Sequence, residues 1–360
     1  MGNETVMLYN HKLFNTTANT SSLVCGELSP AFTITGLTCM GTIVVLSVSG
    51  NSLVCFVIAR FSRLRTISNY LVFSLAVSDM MVALSVLPFD IIYWVYFPSW
   101  PLGGYVCNLW NSSFFVFLTA SVLNLLAICT DRFVAVVFAL RYKDIMNTQI
   151  VKVIIAAIWA YSFSIGAILF AVLVPPQDHT YTFELHPAFH GFLLVGNVFV
   201  PFCIMIGLYF KIYLIARDHA RRVGIISITS DLHVFDMIGR ELRVAKTFGI
   251  VVVTFLLCWM PFEVINVAIL IDEGVESCSM EIADTVSCWF AYLQIAANPA
   301  IYAFANSKFR KAFKRIICTQ RNELDDSTLK STNYREGDVQ SVRVGRNTDQ
   351  CSEQDNGESR

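Results

Sequence analysis

Charged side chains are scarce in this chain. Only 15% of its 360 residues are Asp, Glu, Lys or Arg, against roughly a quarter in a soluble globular domain. With 55% apolar residues and a mean hydropathy of +0.57, an ordinary water-facing surface is excluded over most of the length. Basic residues are also missing from particular places. Segments 94–106, 174–188 and 272–280 hold no Lys or Arg, and the N-terminal segment has only Lys12. The net charge of −1 therefore says little, because the charges are segregated rather than balanced. Met1–Pro30 has no cationic start and no apolar signal core, so the first apolar stretch is expected to act as an uncleaved insertion signal. There is no internal repeat and no inverted half-to-half symmetry, which counts against a transporter. No HExxH, no GxSxG and no Cys/His cluster at metal-ligand spacing occurs, so nothing points to an enzyme.

What is present is a set of seven apolar stretches, at 33–60, 67–93, 104–137, 149–173, 187–217, 240–272 and 281–304. A hydrocarbon core about 30 Å thick takes about 20 helical residues to cross. Such a segment must be helical, because lipid offers its N–H and C=O groups no partners. The expected fold is an all-α membrane protein, a seven-transmembrane helix bundle with an amphipathic eighth helix. Lys and Arg collect on one side: Arg60, Arg63 and Arg65; Arg141, Lys143 and Lys152; Arg217, Arg221, Arg222, Arg240 and Arg243; and Lys308 to Arg315. That side is the cytosol, so the N-terminus lies outside and the C-terminus inside. Three glycosylation sequons, at Asn3, Asn15 and Asn19, fall in the outer segment, while a fourth, at Asn111, falls inside the third span and is expected to stay unmodified.

The organisation that follows is an extracellular, glycosylated segment 1–32, a bundle 33–304, an amphipathic membrane-surface helix 305–318 and a disordered cytosolic tail 319–360. In the surface helix, cationic and apolar residues alternate from Lys308 to Cys318, as suits a helix lying on the inner leaflet. Cys318 at its end is a palmitoylation candidate. Cys39, Cys55, Cys129, Cys203 and Cys258 lie within spans and are expected as small buried apolar residues. Cys25, Cys107 and Cys278 lie on the oxidising side and are the disulfide candidates, with Cys288 near them.

Polar residues inside membrane helices are costly and mark function by default. Here they come one set per span: Gly50-Asn51, Leu75-Ala76-Val77-Ser78-Asp79, Asp131-Arg132, Trp159, Pro201, Cys258-Trp259-Met260-Pro261, and Asn298-Pro299-Ala300-Ile301-Tyr302. In this order the chain resembles a rhodopsin-like (class A) G-protein-coupled receptor over roughly residues 33–318. The resemblance implies an outer ligand pocket and an inner face for a heterotrimeric G protein, at the plasma membrane. It implies that Arg132 pairs with Asp131 at rest and also reaches Glu241, and that breaking the second pair lets the sixth helix swing out. It makes Val122, Pro201 and Phe255 a packed relay beneath the ligand, with Trp259 above them. Tyr209 and Tyr302 would swing inward on activation. Read without it, both tyrosines fit an interfacial aromatic belt. Ser327, Thr328, Ser331 and Thr332 in the tail would be phosphorylated by a receptor kinase to recruit an arrestin. No nucleic acid and no cofactor is implied beyond a sodium ion.

The chain departs from the family pattern in several places. Phe133 stands where the third-helix motif usually has Tyr. Asp79 and Ser121 belong to the family's sodium site, but Gln294 and Ile295 replace the usual Asn and Ser of the seventh helix. The usual partner of Cys107 in the second outer loop is missing, since 174–190 contains no Cys. Cys107 is then either free or paired with Cys25 or Cys278.

For the ligand, the resemblance divides. There is no retinal-binding Lys in the seventh helix, where Tyr292 stands. Leu87-Pro88-Phe89-Asp90, Trp259 with Pro261-Phe262, and Trp289 with Tyr292 are similar to amine receptors. However, the amine-binding Asp of the third helix is replaced by Phe114, which lies beside Phe115 and one turn from Leu118. Glu263, one turn above Trp259, is the candidate substitute counter-ion, with Phe114, Phe262, Trp289 and Tyr292 around the cation and Asp90 nearby. The alternative is a purely structural Glu263, protonated or hydrogen-bonded to Tyr292 or another bundle residue. Adenosine receptors are the second likeness, through Asn266 and through Phe183-Glu184. Asn197 offers a polar contact in either version. An unrelated ligand, or a constitutive receptor whose ligand site has decayed, stays open as well.

Overall fold

The computed structural model describes residues 30–96, 99–175, 185–222, 232–271 and 278–316. Asn3, Asn15, Asn19, Cys25, Phe183, Cys318 and the tail phosphosites lie outside the described residues. Helix α1 is Pro30–Arg60. Helix α2 runs Ile67–Ser85 and resumes as Leu87–Tyr96. The break falls at Val86, just before Pro88, which then sits in the first turn of the resumed helix, where its missing N–H costs nothing. Helix α3 is Gly104–Val137, preceded by Gly103 at φ 81°, a left-handed conformation that favours glycine. Helix α4 is Thr148–Val172, capped by the Asn147 side chain, which accepts from the Ile150 N–H at 2.9 Å. Helix α5 starts at Pro187, winds as π-helix over Phe192–Phe199 and continues as α-helix over Val200–Arg222. Pro201 has no N–H to offer the Asn197 carbonyl four residues back, which accounts for the widened turns just before it. Helix α6 is Leu232–Ile271, with Pro261 inside, and α7 is Cys278–Ala305, with Pro299 inside. A last helix, α8, covers 307–316.

Six of the described helices are long and apolar enough to cross a membrane. Helix α7, at 28 residues, has the length but dilutes its apolar content with Ser287, Gln294 and Asn298, which are buried. The expected spans differ from the helices by a few residues at most ends; the largest difference is α6, which runs eight residues further toward the cytosol than 240.

The helices close a ring, with α7 packed against both α6 and α1, while α3 packs against α2, α4, α5 and α6 and forms the axis. Glycines allow close approach between helices. A Cβ at Gly166 on α4 would meet Val116 Cγ2 of α3 at 2.1 Å, and one at Gly50 on α1 would meet Pro299 Cγ at 2.8 Å. The outside is apolar: Val45, Phe56, Leu257 and Phe304 are exposed, as a lipid-facing surface requires. Cys203 also faces out, whereas Cys129 is buried and Cys39, Cys55 and Cys258 are half-buried, so the expectation of buried cysteines fails at Cys203. On α8, Phe309, Ala312 and Phe313 turn inward, and Lys308, Arg310, Lys311, Lys314 and Arg315 turn outward. Phe309 stacks on Tyr302 with centroids 5.5 Å apart, which anchors α8 under α7.

Candidate functional site

At the inner end of α3, Asp131 and Arg132 are buried. Arg132 grips Asp131 Oδ2 through Nε at 3.0 Å and Nη2 at 2.6 Å. Its Nη1 crosses to Glu241 Oε2 of α6 at 3.2 Å. Ser68 of α2 donates to Asp131 Oδ2 at 2.8 Å and also meets Arg132 Nη2. Tyr142, in the loop after α3, donates to Asp131 Oδ1 at 2.7 Å. Burial, with the Asp131 charge beside it, holds the Tyr142 phenol well above the usual tyrosine range, so it remains a donor. Phe248 of α6 lies 5.8 Å from the guanidinium carbon. Both ions of this buried pair therefore have further partners, as such a pair needs.

Midway through the bundle, Asp79 takes Ser121 on Oδ1 at 3.1 Å and Asn298 on Oδ2 at 2.8 Å. Ser121 also meets Ser78 at 2.9 Å. Asn51 of α1 ties across to the Ile295 carbonyl of α7 at 2.9 Å. Just above is a small cavity, with room for about one water molecule, lined by Phe114, Leu118, Ser121, Trp259, Tyr292 and Gln294 among others. Both side-chain polar atoms of Gln294 are buried without a partner among the described residues. Ser121 and Gln294 line this cavity, and Ser121 in turn bonds the Asp79 carboxylate, so a hydroxyl and an unused amide oxygen, with a carboxylate behind them, are donors of the kind a small hard cation takes. Among the described residues no group of three or more His, Cys, Asp or Glu could hold a metal ion.

Of the residues expected as a packed relay, Val122 and Phe255 are fully buried and Pro201 is buried, and Phe255 stacks on Trp259 with centroids 5.8 Å apart. Tyr209 Oη reaches the Ala245 carbonyl at 3.5 Å. Tyr302 is buried with its hydroxyl unpartnered among the described residues.

The outer level is organised around Phe114. Its ring meets Phe115 at 5.3 Å, and Trp259, Phe262 and Tyr292 each at 6.4 Å. On the α6 side, Glu263 is 1% exposed, and its Oε2 has no partner among the described residues. On the α2 side, Asp90 has Tyr292 and Trp110 beside it as hydrogen-bonding neighbours, but its Oδ2 is buried without a partner. Trp289 does not join the α6 group. It packs on Phe32 at 5.1 Å and Trp94 at 6.3 Å, on the side of α1 and α2. The six aromatic and acidic residues expected around one cation are thus divided into two neighbouring groups that share Phe114. Asn197 accepts from the Tyr161 hydroxyl at 2.8 Å, leaving its own amide N–H groups buried and unpartnered among the described residues. Asn266 donates to the Phe262 carbonyl at 2.9 Å and to Asp284 Oδ1 of α7 at 3.0 Å. Cys107 is buried at the head of α3, beside Asn111. The Cys278 side chain, like Cys25, falls outside the described residues.

The profile of the 7 transmembrane receptor (rhodopsin family) matches residues 50–302. The chain belongs to that family. The receptor is 31% identical over 311 residues to the octopamine receptor beta-2R of Chilo suppressalis, covering 76% of the receptor and 77% of the relative. It is 28% identical over 349 residues to the D(1A) dopamine receptor of Xenopus laevis, covering 84% and 77% of the two chains. It is also 28% identical over 313 residues to the histamine H2 receptor of Homo sapiens, covering 83% of each. The receptor is therefore a multi-pass signalling protein of the plasma membrane, coupling to G proteins, and not an enzyme.

Several residues of its sites were not singled out from sequence. Ser68 and Tyr142 hold Asp131 but come from other segments, and nothing in their local sequence marks them. Asp284 had a usable signal: with Cys288 and Tyr292 it falls at i, i+4 and i+8, one face of α7.

Proposed function

We propose that the receptor answers an extracellular cationic small molecule of the amine class, with Glu263 as the counter-ion that replaces the acid absent at Phe114. One observation carries this reading: Glu263 is buried one turn above Trp259 with an unpartnered carboxylate oxygen. Lys12 is the one Lys or Arg in the N-terminal segment and outer loops. An ionised carboxylate is expensive to bury without a cation or donors, and among the described residues no Lys or Arg lies in the outer loops. Phe114 and Phe262 supply ring faces for cation–π contact. The amine relatives support the same class. The adenosine-like alternative loses its main support, because the Asn266 amide is engaged within the bundle by Phe262 and Asp284.

The signal then has a physical path. A cation drawn to Glu263 presses on Phe114 and Trp259, and Trp259 is stacked on Phe255 in the relay with Val122 and Pro201. Pro261 lacks the N–H that would stiffen α6 at this point. Rotation of α6 there separates Glu241 from Arg132 and opens the inner cleft to a G protein, with Tyr209 and Tyr302 turning toward the freed arginine. Asp79 and Ser121, with Gln294, would hold a sodium ion, whose charge would stabilise the closed packing of α2, α3 and α7. Arrestin and receptor-kinase engagement belong to the tail.

The test is a cAMP and calcium readout in cells expressing the receptor, against biogenic amines and adenosine, with an empty-vector control. A saturable amine response is expected. Glu263→Gln should weaken it about thirtyfold or more, since removing one partner of a buried charge pair costs about 2 kcal/mol or more. Unchanged amine potency with intact surface expression would rule out Glu263 as counter-ion, and a response to adenosine alone would overturn the amine reading.

A further inference from the structure

Among the described residues the outer level holds two acids, not one, with a buried oxygen to spare. Glu263 Oε2 on α6 and Asp90 Oδ2 on α2 are both buried and unpartnered among the described residues. They belong to different groups. Glu263 lies on the side of Phe262 and Trp259, and Asp90 on the side of Tyr292 and Trp110. The Phe114 ring stands between the groups, 6.4 Å from the Phe262 ring on one side and 6.4 Å from the Tyr292 ring on the other. A further acid of the described residues, Asp284, is occupied, since it accepts from Asn266.

A single ammonium group does not satisfy this arrangement. Whichever acid it meets, the other keeps a buried oxygen without a partner, and an acceptor left so is costly. Neither the chain before α1, apart from Lys12, nor the three outer loops supply a Lys or Arg that could fill the second place. The middle of the site is aromatic, so what joins the two charges should be apolar. A chain of methylenes lies well against ring faces, as the stem of a lysine does on apolar surface.

We infer that the ligand is two-headed: an α,ω-diamine or a similar small dication, one ammonium on Glu263, the other on Asp90, and its methylene chain across Phe114. This rests on the amine reading above and narrows it. The second charge adds attraction at Asp90 without new apolar contact, so the gain belongs to the second amine alone.

The experiment compares α,ω-diamines of increasing methylene count with n-alkylamines of the same length, by cAMP and calcium response and by displacement of a bound amine from membranes. The expected result is that one diamine length is best, and that it is about tenfold or more potent than its matched monoamine. Asp90→Asn should collapse that ratio to near one, and Asp90→Glu, which keeps the charge, should restore a preference at an altered chain length. Surface expression of each variant is measured alongside, and the conservative Asp90→Glu keeps the test decisive if Asp90→Asn fails to reach the surface. Diamines and monoamines of equal potency, or a ratio that survives Asp90→Asn, would overturn the two-headed ligand while leaving the amine reading in place. Silence to every amine, with the receptor at the surface, would overturn both.

Discussion

Asp131 shows what a single position could and could not disclose. An ionisable residue in an apolar helix is legible because its cost demands a reason, and Asp79, Asp131, Arg132 and Glu263 all stood out on that ground. Their partners did not, because partners come from other helices. Ser68 and Tyr142 lie 63 and 11 residues from Asp131, and no local pattern joins them. The same holds for Asn266 and Asp284, 18 apart across the outer loop, a pairing that removes Asn266 from the purine role its position suggested. These pairs make sharp predictions. Tyr142→Phe leaves Asp131 Oδ1 buried with one donor fewer, which costs about 1–3 kcal/mol. The detergent-solubilised variant should therefore melt at a lower temperature than the parent while the amine binding proposed for Glu263 is kept. An unchanged melting curve would mean that another donor replaces the phenol.

Among the helices, length and apolar content located all seven spans, because a membrane sets both. What was not legible is how each helix departs from regularity. The break at Val86 and the π-helical turns of Phe192–Phe199 depend on how a proline's missing bond is absorbed, and that is settled by neighbouring helices. Close approach between helices is likewise a tertiary fact, and it separates glycines that look alike in sequence. Gly166 on α4 has Val116 Cγ2 where its Cβ would go, at 2.1 Å, whereas Gly41 on α1 has nothing within 4 Å. Val116 is β-branched and held to essentially one rotamer in a helix, so it cannot turn aside cheaply. Gly166→Ala should destabilise the receptor by about 1–3 kcal/mol. Gly41→Ala should be neutral or stabilising by about 0.5–1 kcal/mol, through the lower conformational entropy of alanine. Melting curves of the two purified variants check the pair, and equal shifts would show that the α3–α4 contact is looser than the geometry requires.

For the molecule as a whole, the proposed mechanism runs through one element, α6, which carries Glu263 and Trp259 outside and Glu241 inside. The Arg132–Glu241 bridge joins α6 to α3 in the conformation described, the closed one. Glu241 is about one-third exposed, so the bridge is worth the modest ~0.5–1 kcal/mol of a partly solvated pair. Its removal should then raise the open population about two- to fivefold, since ~1.4 kcal/mol corresponds to a factor of ten. The size of this bias was hidden in the sequence, which shows that both charges are there but not how far water screens them. Glu241→Gln accordingly should raise ligand-free signalling by that factor. If the closed state dominates at rest, linkage requires apparent amine affinity to rise by the same factor, because the ligand no longer spends binding energy on opening the bridge. Both quantities come from one dose–response curve, its floor and its midpoint. A raised floor with an unmoved midpoint would mean that Glu241 acts on the G protein directly and does not hold α6 shut. A matched shift of both identifies the bridge as the coupling between ligand and cleft.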